Sequence, residues 1–315
     1  MRHTPQPPFD ITEIFPFLSG MEKTTIRLHP RLEEELNDLS EEIQSAELPK
    51  LALNESKLGG TFLWPQDESW PICNKHREFY VGILQLRAED FSEIEFPLNT
   101  NLFQLLWCPI DNDFEFPECL VFWRNVSEIA NPLSDNPEPR QPNRDLVPNP
   151  CCLFPERVTE YPDLIELEGE RQERVSQWDE DNDSIYQRLL STAPSVKIGG
   201  YPAWIQDPEI PICRCGREMK HLLTIASDEF DPGTAPRWCP IEDQPIWQEC
   251  ERMIEQLKEN PLLYQDTEVR TQLYEQGRIA AQAQGAPGLT IGGSVYVFIC
   301  RHCPQWPIES VFQCS

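Results

Sequence analysis

The chain has 315 residues, 39% of them hydrophobic and 10% aromatic, with a formal net charge of -27. That length holds two ordinary domains or one large duplicated one, and the apolar content excludes a disordered chain. So acidic a protein repels phosphate backbones and anionic lipid, which argues against nucleic acid and membrane partners and favours a basic protein, although the same charge also serves solubility alone.

Twelve cysteines is a high count. The N-terminal stretch MRHTPQPPFD lacks the apolar core of a signal peptide, and no run approaches the ~18–20 apolar residues of a membrane span. The expected compartment is the cytoplasm, where thiols stay reduced. Adjacent Cys151 and Cys152 also make a poor disulfide framework.

In chain order, residues 31–47 place Leu32, Leu36, Leu39 and Ile43 on one face of a predicted helix with acidic flanks. FYVGILQL (79–86), NLFQLLWC (101–108) and CLVFWR (119–124) are short β-branched and aromatic runs bounded by turn residues, and read as strands. Residues 131–162 hold eight prolines and read as a stiff connector. Residues 163–192 read as mainly helical, with Trp178, Ile185, Leu189 and Leu190 inward. Strands are predicted at 201–206, 220–226 and 294–300. Between the last two, helices are predicted from Pro245 to Glu259, with Ile246, Cys250, Met253, Ile254 and Leu257 inward, and from Thr267 to Gln284.

The chain repeats itself. KLGGTFLWPQDESWPI (57–72) aligns without a gap to KIGGYPAWIQDPEIPI (197–212), and identities continue at Cys73/Cys213, Arg77/Arg217 and Glu78/Glu218. The Gly59-Gly60 and Gly199-Gly200 pairs lead into a predicted strand as a turn packed under Trp64 or Trp204. No helix with a phosphate-binding motif follows them. Trp107-Cys108-Pro109-Ile110 recurs as Trp238-Cys239-Pro240-Ile241 and reads as a recurrent strand-end turn.

The copies differ in their thiols. Cys213-x-Cys215 and Cys300-x-x-Cys303 supply four thiolates in two close pairs, the ligand set of a tetrahedral structural zinc site, and strand pairing is expected to join them. The alternatives are partly buried reduced thiols, or a redox pair at Cys300 and Cys303. His302 reads as a neighbour of that site. In the first copy Cys73, His76 and Cys108 offer a lesser set, read as packing, and Cys239 and Cys250 read as core. DEDND (179–183) begins like a calcium loop but has Ser184 and Leu190 where Gly and Glu belong, and reads as a solvated acidic turn. No catalytic grouping stands out: the five histidines fall outside HExxH, and no GxSxG occurs.

GGYPAWIQ, the following Pro-x-Cys and the late VYVFIC strand resemble the YwqG-like family of bacterial proteins of unknown function. The pattern is also similar to programmed cell death protein two and its yeast relatives. The resemblance covers 195–315 well and 57–128 more loosely, and leaves out 1–50 and 131–190. It implies a duplicated β-rich fold without known enzymatic activity, in which Gly199, Gly200, Pro202, Trp204 and Pro211 define the fold and the cysteines bind metal. The eukaryotic relatives act as chaperones for a basic ribosomal protein. The first copy departs from the motif at Thr61-Phe62, where Pro belongs at 62, and in its missing cysteines.

The sequence therefore leads to an α+β fold built from a duplicated, mainly antiparallel β-rich module with peripheral helices. An N-terminal extension (1–54) precedes the first module (55–130), the connector (131–194) and the second module (195–315, with a helical insertion at about 240–287). The expected function is non-enzymatic protein binding in the cytoplasm, chaperone-like toward a basic client, with structural zinc at Cys213, Cys215, Cys300 and Cys303. The alternatives are an immunity or antitoxin-type protein that neutralises a basic toxin, and a metal-dependent hydrolase.

Overall fold

The computed structural model describes residues 2–32, 51–110, 118–260, 262, 267–272 and 288–314. Its twelve strands are β1 (Lys23–Arg27), β2 (Arg31–Leu32), β3 (Lys57–Leu58), β4 (Val81–Arg87), β5 (Leu102–Trp107), β6 (Cys119–Arg124), β7 (Cys151–Cys152), β8 (Glu156–Glu160), β9 (Lys197–Gly199), β10 (Lys220–Ala226), β11 (Gly293–Ile299) and β12 (Ile308–Cys314). They form two antiparallel six-stranded sheets, ordered β2-β7-β3-β4-β5-β6 and β12-β11-β10-β9-β1-β8. The fold is α+β, as the sequence implies.

The sheets have equivalent layouts. In each, a short strand carrying the repeated Lys starts a meander of three long strands, and its other edge meets an arm from elsewhere in the chain. Arg27 pairs with Lys197 as Cys152 pairs with Lys57, so Leu28 and Leu153, and Pro30 and Pro155, occupy equivalent places. Residues 23–32 and 151–160 run antiparallel in one unbroken register: Lys23 faces Glu160 and Leu32 faces Cys151. This two-stranded ribbon crosses from one sheet to the other, and the arm preceding each copy borders the other copy's short strand.

Ile26, Leu58, Leu84, Phe103, Leu223 and Val297 belong to one buried cluster that draws on both sheets. Each sheet carries a second, smaller cluster: Phe62, Trp64, Trp70, Cys73, Tyr80, Leu106 and Cys108 on one, and Trp204, Cys213, Met219, Tyr296, Phe298 and Cys300 on the other.

Charged residues are buried where the ribbon bends. His29, at φ +42° and fully buried, sets Nδ1 3.1 Å from Glu229 and Nε2 3.2 Å from Glu156. Arg31 pairs with Asp243 at 2.6 Å, and Arg27 donates to the Trp238 carbonyl at 2.9 Å. Buried charge survives only when partnered in this way.

Several elements differ from the sequence reading. Residues 31–32 are a strand rather than the start of a helix, and Leu36, Leu39 and Ile43 lie outside the described residues. Residues 201–206 are not a strand: the Gly-Gly pairs come at the end of the short strands β3 and β9, Gly199 closing β9, instead of preceding one. The connector supplies β7 and β8. Trp238 ends a short helix (Ala235–Trp238), so its motif is not a strand end like that of Trp107. The helix α1 (Ile11–Ile14) and the helix α2 (Gly169–Glu180) join a separate cluster, where Trp178 packs edge-on to Phe9 and Phe15. Asp179 is not solvated: it is buried and accepts from the Tyr186 N–H at 2.6 Å and the Gln187 amide at 2.9 Å.

In the insertion a helix (Gln244–Glu259) forms with Cys250 and Met253 buried, while Ile254 turns outward. Residues 267–272 are helical, and the rest of the second predicted helix lies outside the described residues.

Candidate metal centre

The second sheet brings the four sulfurs together. Cys213 and Cys215 sit on the turn before β10, Cys300 follows β11, and Cys303 lies on the turn into β12. The first turn is tight: Cys213 N–H donates to the Arg217 carbonyl and Gly216 N–H to the Cys213 carbonyl, each at 2.8 Å. Gly216 has φ +81°, a conformation glycine adopts without steric cost. The second turn is closed by Trp306 N–H to the Cys303 carbonyl and Cys300 N–H to the Pro307 carbonyl, each at 3.0 Å.

All four sulfurs lie within 4.8 Å of one another. Cys213 and Cys303 are 3.7 Å apart, Cys215 and Cys300 3.7 Å, and Cys300 and Cys303 4.0 Å. A tetrahedron of sulfurs ~2.3 Å from a zinc ion has edges of ~3.8 Å. The spacing therefore fits one tetrahedral ion and is far longer than a disulfide of ~2.05 Å. None of the twelve cysteines forms a disulfide.

The electrostatics of the cluster suit a cation. Burial raises the Cys300 thiol, but the backbone N–H of His302 and the neighbouring thiols outweigh it and bring Cys300 down to about 7. Cys303 is pushed up to about 12 by Cys213 and Cys215 beside it. Gathered thiols resist sharing several negative charges, and a bound cation removes that conflict. His302 takes part through its backbone, and its ring is not in the cluster. Cys239 and Cys250 are buried, Cys239 in a cluster with Trp238 and Phe230.

The first copy builds the same corner differently. Past the shared cysteine the copies slip by one residue: Cys73 N–H donates to the Glu78 carbonyl where Cys213 N–H donates to that of Arg217. Arg77 and Glu78 are therefore not structural counterparts of Arg217 and Glu218, despite the identities. Arg77, at φ +60°, takes the place of Gly216. The longer turn swings His76 inward, so that its Nδ1 lies 3.5 Å from the Cys73 sulfur and 3.2 Å from that of Cys108.

Two polar arrangements escape a motif search. Lys197 and Glu160 form a fully buried pair at 2.6 Å, and Glu160 also accepts from the N–H groups of Ala193 and Tyr201. Lys57, at the equivalent place, donates to the carbonyls of Ala52 and Leu53. The only trace in the sequence is a lysine repeated among apolar residues. Gln313 accepts from the N–H groups of Ile205 and Gln206 and donates to the Asp207 carbonyl, pinning the loop before Cys213. Its counterpart Arg124 instead grips Glu68 with two bonds of 2.7 Å and lies over Trp64.

Among the described residues no helix is long and apolar enough to cross a membrane. A search of curated proteins finds no match, so the likeness to programmed cell death protein two has no support there. A family model does match, running unbroken from residue 56 to 238 across the segment 131–190 that the sequence resemblance left out and stopping short of Cys300 and Cys303. That match takes in more than half of the chain, which therefore belongs to the family described as a domain of unknown function (DUF1963).

Proposed function

We propose that this chain is a non-catalytic protein-binding scaffold in which structural zinc at Cys213, Cys215, Cys300 and Cys303 clamps the turns of the second sheet. The observation that carries this reading is the closed set of four sulfurs at tetrahedral spacing. Four protein thiolates leave a zinc ion no position for substrate, so its contribution is to folding. The YwqG-like resemblance supports the same reading, since it implies no enzymatic activity.

The partner we propose is a basic protein segment, held in a chaperone-like manner. The charge of -27 favours encounter with a cationic chain. A groove of about 310 Å³ beside the Gly-Gly turn of the first copy offers a seat. Buried Trp70 and Tyr80 line it together with exposed Asp135 and Glu138, several prolines and Arg144. Carboxylates beside aromatic rings suit a lysine or arginine, whose stem packs while its head pairs.

The test has two parts. Elemental analysis of the purified protein is expected to find zinc bound through the four cysteines. A fluorescent Lys/Arg-rich peptide is expected to bind at low salt, to weaken as salt rises, and to bind far less to the double variant Asp135→Lys with Glu138→Lys. A peptide that fails to bind at low salt, or that binds the variant equally well, overturns the partner assignment without touching the metal.

A further inference from the structure

Residues Cys73, His76 and Cys108 place two sulfurs and an imidazole nitrogen within 4.8 Å of one another. We infer that they form a second metal site, for a zinc-like divalent ion, distinct in chemistry from the four-sulfur site. Three observations converge. Cys73 and Cys108 are the structural counterparts of Cys213 and Cys300, because the β4–β5 and β10–β11 ladders superpose in register on either side of their bulges. His76 stands where Cys215 stands, on a turn one residue longer. The nitrogen–sulfur distances, 3.5 and 3.2 Å, lie near the ~3.6 Å edge set by ~2.05 Å zinc–nitrogen and ~2.3 Å zinc–sulfur bonds in a tetrahedron.

The donors are also housed as ligands are. Cys73 and Cys108 are buried at 3% and 1% exposure, while His76 is half-buried and closes the site from outside. Tyr80 stands in the same cluster and donates to Glu118 at 3.0 Å, and Cys108 N–H bonds the Glu118 carbonyl, which fixes the wall behind the sulfur. Among the described residues no fourth side chain joins the three donors. The ion is therefore held by two thiolates and one imidazole, with a non-sulfur ligand completing its shell. Such a site binds more weakly than four thiolates and gives a weaker thiolate-to-metal charge-transfer absorption.

Anaerobic titration of the full chain, stripped of metal and kept reduced, with cobalt(II) tests this. Two ions per chain are expected, taken up in two steps, the second with the smaller charge-transfer band. The His76→Ala variant is expected to keep the first step, lose the second and bind one ion, with the melting curve of its metal-free form unchanged. Saturation of the unaltered chain at one ion overturns the proposal, as does a His76→Ala variant that still binds two. Because the first of these outcomes needs no variant, a folding defect cannot mask the answer.

Discussion

The knuckle ends of the two copies solve one structural problem with different chemistry. In both, a turn carrying a buried cysteine must be tied to the end of the second long strand of the meander, β5 or β11. The second copy does it with four sulfurs, and the first with two sulfurs, an imidazole and a turn one residue longer. The loop before each knuckle shows the same contrast, with Gln313 holding backbone in one and Arg124 gripping Glu68 in the other. Beside the bulge, the Phe62 ring packs over Gly82, whereas the equivalent positions of the second copy hold Pro202 and His221. The lesson is that the backbone path is retained while the groups that pin it are exchanged, often in compensating pairs.

The largest expected break in this symmetry is at the thiols. Cys300→Ala with Cys303→Ala should lower the melting temperature by about 6 °C, as a loss of ~4 kcal/mol would give in a chain of this length. Compared in the metal-free protein, where it removes only one buried sulfur, Cys73→Ala should cost ~1 kcal/mol. An unchanged melting curve for the double variant would remove the zinc staple.

Next come the paired lysines. Lys197→Met strands a buried carboxylate and should cost ~3–5 kcal/mol, with part recovered by adding Glu160→Gln. Lys57→Met gives up only hydrogen bonds to carbonyls and should cost ~1–2 kcal/mol. Equal losses in denaturant melts would show that the Lys197–Glu160 pair adds nothing.

The glycine pairs should rank in opposite orders. A methyl group on Gly59 would meet the Asn149 carbonyl oxygen at 2.6 Å, whereas one on Gly60 meets Pro150 at 3.3 Å. In the second copy it is Gly200 that collides, with Thr25 and Glu160, while Gly199 has only the Thr24 oxygen at 3.5 Å. All four have positive φ, so alanine strains each by ~1 kcal/mol, and Gly59→Ala and Gly200→Ala should cost a further ~1–3 kcal/mol. The same ranking in both copies would contradict the packing described.

The smallest effect is on pH. Burial, with Lys197 and Lys23 nearby, lowers His221 to about 3. Its ring stands edge-on to Phe298, and Nε2 lies 2.9 Å from the Thr224 hydroxyl. A depressed folded-state value means that its share of stability is complete above the unfolded value of ~6.5 and drains away as pH falls toward 3. We expect ~1–2 kcal/mol to be lost between pH 6.5 and 5, and His221→Gln to flatten that slope. A slope that persists in the variant would place its origin elsewhere.

Much of this was legible in the chain. The strands β4, β5, β6, β10 and β11 announced themselves as aromatic and β-branched runs; the repeat marked Lys57 and Lys197 as equivalent, but the short strands they start were missed, since a strand was expected after the glycines at 201–206. The two cysteine pairs were legible because ligand spacing is local. The ribbon was not. TTIRLHPRL reads as polar because Arg27, His29 and Arg31 are buried against Glu229, Glu156, Asp243 and the Trp238 carbonyl, partners far away in sequence. The slip after Cys73 was hidden as well, since chance identities at Arg77 and Glu78 disguised a longer turn that only hydrogen bonding exposes.

The crossed arms carry a consequence for how such a chain can be cut. Each half, taken alone, lacks the strand that borders its short lysine strand and keeps an arm with nowhere to lie. Two identical halves would satisfy one another by exchanging those arms about a two-fold axis. The molecule is thus organised as a swapped homodimer whose subunits have been joined end to end, and separate expression of residues 2–130 and 131–314 should yield fragments that reassemble only with each other or with themselves.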